Sequence, residues 1–516
     1  MSRLKNFSRN LTASYLQLAA NVAYSLLSVP LILHWLPRAE FGLWAVLVQL
    51  MSYLTLVDLG VNQAISRFLI DHKDERGTGG YGSLIKTSVW VSAVQGLIVL
   101  AIVTFGSPAL ADAMKIPAQY QALFIFLMRI QGLIAALTFC ANPLTIILYA
   151  HQRMDIVTWR NIFGLVAGLI LLVLFLFMGC GIYSFVYANG IIAVIVPLYL
   201  LWNCRQLGFL PKKGEWGKMS WRQFQEVFLY GKDVFLMNVG AQLITASQTI
   251  IISRALGLEL AAAWTVGTRV FTFVRLSMFQ PYAAASPGLC EMVARNEMER
   301  LQYRFRNLVS LIASLGVFLG TMFVLCNGLF VRIWTSGKII WPPENDVLLG
   351  LWIFFTALQA PHCNFVAVTK QIGGMRYLYF VEGCSFVLLS LLLGYRWGIP
   401  GIVGSSVLCL VFFSYQFGLR RSQKYFRVSF LELTVGWIKP SLKLAAALVP
   451  AAIVIWFATS GLPVLWRLMV NGAAAGLIGG LLFLRLGVPP EMIREAGGRL
   501  PRPAARLLGM LAPCHT

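Results

Sequence analysis

The chain has 516 residues, of which 58% are hydrophobic and 12% charged, and its mean hydropathy is +0.73. A soluble core cannot cover that much apolar surface, so the composition excludes a soluble globular or disordered protein and predicts a polytopic membrane protein. The net charge of +22 is explained by basic residues that flank membrane spans, so it requires no nucleic-acid partner.

Apolar runs of about 18 to 30 residues recur along the whole sequence, and each can cross a hydrocarbon core of about 30 Å. We predict an all-α integral membrane fold with about 14 transmembrane helices. The alternating pattern of a transmembrane β-barrel does not occur in the sequence. In chain order, the predicted spans are 12–33, 41–65, 83–105, 120–150, 156–179, 183–203, 227–254, 261–285, 307–331, 347–369, 377–395, 401–419, 442–459 and 465–484.

Basic residues are distributed asymmetrically between the predicted loops. With Met1 on the cytoplasmic side, about 31 of the 42 Lys and Arg residues fall in cytoplasmic segments and about six in external loops. The positive-inside rule therefore predicts that both termini are cytoplasmic. The nine cysteines contain no Cys-x-x-Cys pair, so they indicate neither a disulfide framework nor a metal site.

The first two spans each carry a polar stripe. Gln17 and Asn21 share one face of span 1 with three serines, and Gln49 begins a similar stripe on span 2. Polar stripes of this kind are typical of helices that face a wet cavity. Asp58 lies near the cytoplasmic end of span 2 and is a candidate for ion coupling, although a helix-end aspartate bonded to a neighbour is the favoured alternative.

Span 4 contains Arg129 about ten residues from its external end, close to the middle of the membrane. A polar stripe from Gln131 to Thr145 lies on the opposite face of the same helix. Both faces can line one cavity only if the helix bends near Pro143. A structural role and a cavity role are therefore equally open for Arg129.

The two halves of the chain are related by a weak repeat. An offset of 220 positions aligns Trp44 with Trp264 and Gln49 with Arg269, and it predicts two six-helix lobes in a parallel pseudo-repeat about an axis along the membrane normal. The connector between them mixes basic and aromatic residues, as in segments that lie on a membrane surface. The predicted organisation is an N-lobe at 1–204 (spans 1–6), a cytoplasmic linker at 205–226, a C-lobe at 227–425 (spans 7–12), spans 13–14 at 426–486 and a cytoplasmic tail at 487–516.

Span 8 contains two arginines, Arg269 and Arg275, which fall within one arc of about 120° together with three threonines. An arginine at mid-membrane costs roughly 2.5 to 3.5 kcal/mol, so it should face a partner or a wet cavity. An internal salt bridge is the alternative. The complete set of predicted cavity residues is Gln17, Asn21, Gln49, Arg129, Asn238, Gln242, Thr265, Thr268, Arg269, Thr272 and Arg275.

Several short motifs together resemble bacterial lipid-linked oligosaccharide flippases, the polysaccharide-transporter branch of the MOP superfamily. The likeness covers about residues 10–425. The motifs that carry it are Phe41-Gly42-Leu43-Trp44, Asp58-Leu59-Gly60, Arg254-Ala255-Leu256-Gly257, Trp264-Thr265-Val266-Gly267 and the region 281–306.

The resemblance implies a MATE-like, alternating-access flippase, and not an enzyme, in the bacterial inner membrane. It would move an undecaprenyl-diphosphate-linked oligosaccharide from the cytoplasmic to the periplasmic leaflet for O-antigen, capsule or exopolysaccharide biosynthesis. The cavity would be lined by spans 1, 2, 7 and 8, with no cofactor beyond a coupling H⁺ or Na⁺. Expected partners are the substrate, membrane lipids, and the polysaccharide polymerase with its chain-length machinery.

Within this expectation the two arginines of span 8 would bind the diphosphate, and Asn238 and Gln242 the sugar hydroxyls, with interhelical hydrogen bonding as the equal alternative for the amides. Asp58, Asp233 and Glu382 are the acids available for ion coupling, and the sequence does not choose among them. Two other functions stay open: a multidrug exporter of the same superfamily and a membrane enzyme of glycan assembly. Cationic-drug exporters favour acidic stripes, and the sequence lacks His-Glu-x-x-His and Gly-x-Ser-x-Gly motifs.

Overall fold

The structure, a computed structural model, describes residues 3–72, 79–151, 153–212, 214–217, 221–369, 374–489 and 492. These residues are helical apart from short turns, and no β-strand occurs among them. The predicted all-α class is confirmed. By their contacts the residues form two compact units, an N-terminal unit at 1–262 and a C-terminal unit at 263–516.

In the N-terminal unit the long apolar helices pack side by side. Helix α4 packs along α5, α6 lies against α1 and α7, and α8 lies against α2 and α3. The contacts of α8 therefore place span 7 in this unit, and the division into two functional lobes at 205–226 stays a prediction. The helices are α1 (Arg3–Trp35), α2 (Arg38–Tyr53), α3 (Val61–His72), α4 (Gly80–Ala113), α5 (Ala118–Ala150), α6 (Met154–Phe177), α7 (Tyr183–Gln206) and α8 (Trp221–Leu256).

Span 2 is broken in its second half. Helix α2 gives way to a 3-10 turn at Leu54–Asp58, and α3 starts only at Val61. Between them Leu59 and Gly60 have φ angles of 51° and 74°, and two consecutive left-handed residues stop a right-handed helix. The prediction of one helix over 41–65 is therefore wrong at this point.

The C-terminal unit is organised around two long helices. Helix α12 packs against α13, α16 and α17, and α13 also packs against α14 and α15. Its helices are α9 (Leu258–Gly267, which begins in the N-terminal unit), α10 (Arg269–Ser277), α11 (Gln280–Ala294), α12 (Met298–Trp334), α13 (Pro343–Val368), α14 (Met375–Leu410), α15 (Gln416–Phe426), α16 (Lys439–Ala458) and α17 (Val464–Ala474).

Eleven helical runs in the described part of the chain are long and apolar enough to cross a membrane, against about 14 predicted spans. Span 8 is absent from this set because it is divided into α9, α10 and α11, each shorter than a bilayer is thick. Spans 11 and 12 form one 52-residue run, Met375–Phe426, which is interrupted at Gly398 with φ 64° and ψ −142°. The predicted span 1, 12–33, lies within the continuous 33-residue helix α1 (Arg3–Trp35). The predicted and observed spans thus differ in where the helices are interrupted, and not in the all-α class of the fold.

Candidate functional site

The polar stripes of spans 2 and 7 face each other inside the N-terminal unit. The Gln242 Nε2 on α8 donates a hydrogen bond of 2.5 Å to Ser52 Oγ on α2. One turn further along α8, Ser247 Oγ shares a hydrogen bond of 2.5 Å with the hydroxyl of Tyr53. In this conformation Gln242 therefore makes the interhelical bond that was the alternative to sugar binding.

The other predicted cavity residues of the N-terminal unit keep part of their surface accessible. Gln17, Asn21 and Gln49 are half-buried, and Asn238 is exposed on α8. Arg129 is also exposed, on α5, so a buried salt bridge does not account for it. The substrate roles of all five residues stay predictions.

Asp58 sits at the break between α2 and α3. Its carboxylate Oδ1 accepts a hydrogen bond of 3.3 Å from the backbone N–H of Asn62 in the first turn of α3. The Nε2 of Gln95, on α4, donates at 3.1 Å to the backbone carbonyl of Asp58. A carboxylate at a helix start stabilises the unpaired N–H groups and the positive end of the dipole, so the geometry is that of a capping aspartate. The side chain of Asp233 lies outside the described residues.

One motif of the family resemblance packs against the residue that follows another. A Cβ on Gly42, in the Phe41–Trp44 motif, would overlap the carbonyl oxygen of Leu258, the residue after the Arg254–Gly257 motif. Only glycine allows the start of α2 to approach the α8–α9 junction this closely. Gly42 and Leu258 therefore form one close-packed contact in the N-terminal unit.

In the C-terminal unit the arginines of span 8 lie on a short helix that follows a break. Thr268 has φ −93° and ψ 4°, which separates α9 from α10. Arg269 is the first residue of α10 and Arg275 lies in its last turn. Backbone hydrogen bonds from Thr268 to Trp264 and from Thr272 to Thr268, each 3.0 Å, continue across this junction, and the placement of Thr265 on the same face as the arginines stays a prediction.

The threonine hydroxyls next to the arginines are bonded to the backbone. Thr268 Oγ1 donates to the Trp264 carbonyl at 2.7 Å, and Thr272 Oγ1 donates to the Thr268 carbonyl at 3.0 Å. A hydroxyl has one hydrogen to donate, so in this conformation neither threonine can donate to a phosphate. The guanidinium groups of Arg269 and Arg275 carry the positive charge of the predicted anion set.

Arg275 lies against aromatic rings and not against an acid. Its guanidinium is 5.8 Å from the ring centroid of Phe271 and 5.9 Å from that of Trp352, and these two rings are 4% and 2% exposed. No carboxylate forms an ion pair with Arg275 among the described residues. Cation–π contacts near 6 Å are weak, about 0.5 kcal/mol each, which is less than the roughly 2.5 to 3.5 kcal/mol cost of an arginine in a membrane. An anion bound there would supply the missing stabilisation.

A buried polar network fixes the end of α9 just before this break. Asn327 on α12 donates to the Gly267 carbonyl at 3.1 Å and to Asp346 Oδ1 at 2.7 Å. The indole N–H of Trp341 donates to the same carboxylate oxygen at 2.7 Å. Its ring also lies where a Cβ on Gly267 would be. The predicted span 347–369 begins just after Asp346, and this network was not predicted, although an acid next to an apolar helix start was a signal for it.

Glu382 is buried in the C-terminal unit. Its carboxylate is 4% exposed and accepts a short hydrogen bond from Ser414 Oγ, in the π-helical turn between α14 and α15. Among the described residues no Lys or Arg forms an ion pair with it. A buried carboxylate without a basic partner needs a proton or a bound cation, which distinguishes Glu382 from the capping Asp58.

Comparison with known families identifies the chain. The sequence profile of the family described as polysaccharide biosynthesis protein matches residues 8–292, more than half of the chain. The protein belongs to this family. A search of curated protein sequences finds no match.

The fold of this chain is similar to the folds of several solved transporters. The lipid II flippase MurJ in its inward closed conformation is similar, with a TM-score of 0.65 and 14% identity over 91% of this chain and 98% of that chain. An inward-facing MATE family multidrug resistance transporter of the MOP superfamily gives 0.64 and 14% over 80% and 96%. A MOP superfamily transporter from Pyrococcus furiosus gives 0.55 and 12% over 82% and 97%. At these identities the similarity shows a shared fold alone.

Proposed function

We propose that this protein is a flippase that moves an undecaprenyl-diphosphate-linked oligosaccharide from the cytoplasmic to the periplasmic leaflet during polysaccharide biosynthesis. The observation that carries the proposal is Arg275, a half-buried cation held on aromatic rings with no ion-paired carboxylate among the described residues. Membership of the polysaccharide biosynthesis family and the fold shared with a lipid II flippase support it.

The diphosphate is the part of the substrate that α10 would recognise. A guanidinium presents a planar fork of donors that matches phosphate oxygens bidentately, and its attraction to an anion is stronger in a low-dielectric site than in water. Arg269 and Arg275 lie six positions apart on one short helix, about 9 Å along its axis. They would therefore contact different oxygens of an extended diphosphate-sugar group.

The hydrogen bonds between α2 and α8 would belong to one state of the transport cycle. Separating Gln242 from Ser52 and Tyr53 from Ser247 would expose an amide and hydroxyl groups. These groups can then bond to sugar hydroxyls, which both donate and accept. The same residues would close the cavity in one state and bind glycan in another.

For ion coupling, Glu382 is the stronger of the two predicted acids whose side chains are described. It combines burial with a hydroxyl donor and no ion-paired base among the described residues, whereas the Asp58 carboxylate caps α3. H⁺ and Na⁺ both fit a single carboxylate with a neighbouring hydroxyl. The proposed setting is the bacterial inner membrane with both termini cytoplasmic, next to the polymerase and chain-length machinery that would use the flipped glycan.

The two alternative functions have less support. An exporter of cationic drugs would need negative charge on its polar faces, yet the predicted cavity set contains three arginines and no acid. For a glycan-assembly enzyme, no group of three or more potential metal ligands occurs among the described residues. The sequence also lacks the hydrolase and zinc motifs considered above.

The proposal is tested by reconstituting the purified protein in liposomes with a polyprenyl-diphosphate-linked oligosaccharide. Transfer is measured as the fraction of glycan that an external lectin or glycosidase can reach. Wild-type protein should equilibrate the two leaflets, Arg275→Gln should not, and Arg396→Gln, a change at an exposed arginine of the same unit, should behave as wild type. Equal transfer by wild-type and protein-free liposomes would refute the proposed function.

A further inference from the structure

A second basic site lies in the C-terminal unit, away from α10. A cavity of about 600 Å³ is bounded by α14, the π-helical turn Val411–Tyr415 and α15. Its lining includes four cations and no acid among the described residues. The cations are Arg420, Arg421, Lys424 and Arg427.

The four cations carry more positive charge than is needed to compensate the dipole at the C-terminus of α15. The C-terminus of a helix carries about half a negative charge, which a single nearby cation compensates. Arg420 and Lys424 are exposed and lie one turn apart on α15, so their charges repel each other. The arrangement is therefore more stable with an anion bound than without one.

The other wall of the cavity is aromatic. Phe412 and Phe417 line it, and the guanidinium of Arg421 lies 5.8 Å from the ring centroid of Phe417. The Phe412 side chain is 69% exposed and belongs to the π-helical turn, a local distortion that is frequent at functional sites. Phe412 precedes Arg420 by eight residues, or about 12 Å along the helix axis.

The cavity has a charged end and an apolar end about 12 Å apart along the helix axis. It therefore fits an amphiphile whose long axis runs parallel to α15. The charged group would lie between the cations of α15, and a hydrocarbon chain would run past Phe412. Basic pockets between transmembrane helices at the cytoplasmic side are typical sites for phospholipid headgroups. The topology proposed above puts the end of α15 on that side.

We propose that this cavity binds the phosphate headgroup of an anionic phospholipid, separately from the transport site on α10. A phosphoglycerol group fits within about 600 Å³. The lipid would hold α14 and α15 together at the membrane surface. The proposed topology is needed only to assign this site to the cytoplasmic leaflet.

The test measures lipid binding by the purified full-length protein in detergent micelles, without any transport step. Phosphatidylglycerol is titrated against phosphatidylcholine of the same chain length, with bound lipid counted by native mass spectrometry. The Arg420→Gln/Lys424→Gln variant is compared with Lys439→Gln/Lys443→Gln. The two lysines of this control are also exposed and one turn apart, on α16.

Wild-type protein should bind phosphatidylglycerol at least 10-fold more tightly than phosphatidylcholine. Loss of two cations from the cavity should weaken phosphatidylglycerol binding by roughly 10- to 30-fold, whereas the control should change it less than threefold. Equal losses in both variants would mean unspecific surface attraction and would overturn the site.

Two further measurements remove the remaining ambiguities. If the double variant does not fold, Phe412→Ala replaces it, because this exposed side chain contributes little to folding and its loss should still weaken lipid binding. A polyprenyl diphosphate that displaces phosphatidylglycerol at equal concentration would overturn the phospholipid assignment. If the protein binds phosphatidylglycerol but does not transfer glycan, the lipid site is supported and only the proposed flippase function is contradicted.

Discussion

The guanidinium of Arg275 lies 5.9 Å from the ring centroid of Trp352, which belongs to a different helix and is almost fully buried. The guanidinium contacts the face of the indole ring. This contact leaves the guanidinium N–H groups available as hydrogen-bond donors. An arginine held in this way is prepared to bind an anion, in contrast to one already paired with a carboxylate.

The first prediction concerns the charge of Arg275. We expect Arg275→Gln to reduce glycan transfer by about 10- to 100-fold, because one charge-assisted hydrogen-bonding group contributes about 1.5 to 3 kcal/mol. Arg275→Lys should retain part of the activity since the charge survives without the bidentate fork. Transfer is measured in liposomes, with protein abundance measured in parallel. Normal transfer by Arg275→Gln at normal abundance would exclude this residue from the substrate site.

Arg269 provides the second prediction. If it binds the diphosphate, Arg269→Ala should abolish transfer while the protein still inserts, and Arg269→Lys should be intermediate. If it is a structural ion-pair partner, Arg269→Ala should lower abundance because a buried acid loses its partner. Removing that acid as well should then restore both abundance and transfer. Membrane levels and surface glycan are measured together in each strain.

The third prediction uses the bond between Gln242 and Ser52. Cysteines at these two positions should be joined by a short bifunctional thiol crosslinker, because the long Gln242 side chain reaches Ser52 at hydrogen-bond distance whereas a direct disulfide requires closer Cβ atoms. The crosslink should block transfer until it is cleaved by reduction. The matched controls are the two single-cysteine variants, in which the crosslinker cannot join α2 to α8. Unimpaired transfer by the fully crosslinked protein would show that α2 and α8 need not separate.

The sequence was sufficient for the class of fold and for the stripes on spans 2 and 7, because hydropathy and helical periodicity report which faces avoid lipid. It was not sufficient for the breaks at Leu59 and Thr268. Hydropathy carries no information on φ and ψ, and a leucine gives no local signal for a left-handed conformation. The bond from Asn327 to Gly267 joins residues 60 positions apart, so no sequence window contains both.

The fourth prediction tests how the break before α10 is held. Gly267→Ala places a methyl group on the ring of Trp341, and overpacking of this kind costs about 1 to 3 kcal/mol. Gly404→Ala is the control, since a Cβ there meets nothing within 4 Å. Thermal unfolding of the purified variants should show a lower Tm for Gly267→Ala only. Equal Tm values would mean that the Gly267–Trp341 contact relaxes without cost.

The last prediction separates the two described candidates for ion coupling. Asparagine caps a helix about as well as aspartate, so if Asp58 only caps α3, Asp58→Asn should transfer glycan normally. Asp58→Ala should then cost about 1 kcal/mol of stability. Glu382→Gln keeps the shape and the hydrogen bond to Ser414 but removes the ionisable group, so gradient-driven accumulation should be lost. Both variants are assayed in liposomes with an imposed H⁺ or Na⁺ gradient, and with none. If Asp58→Asn abolishes the response to the gradient while Glu382→Gln retains it, the assignment is reversed and the carboxylate at the α2–α3 break is the coupling site.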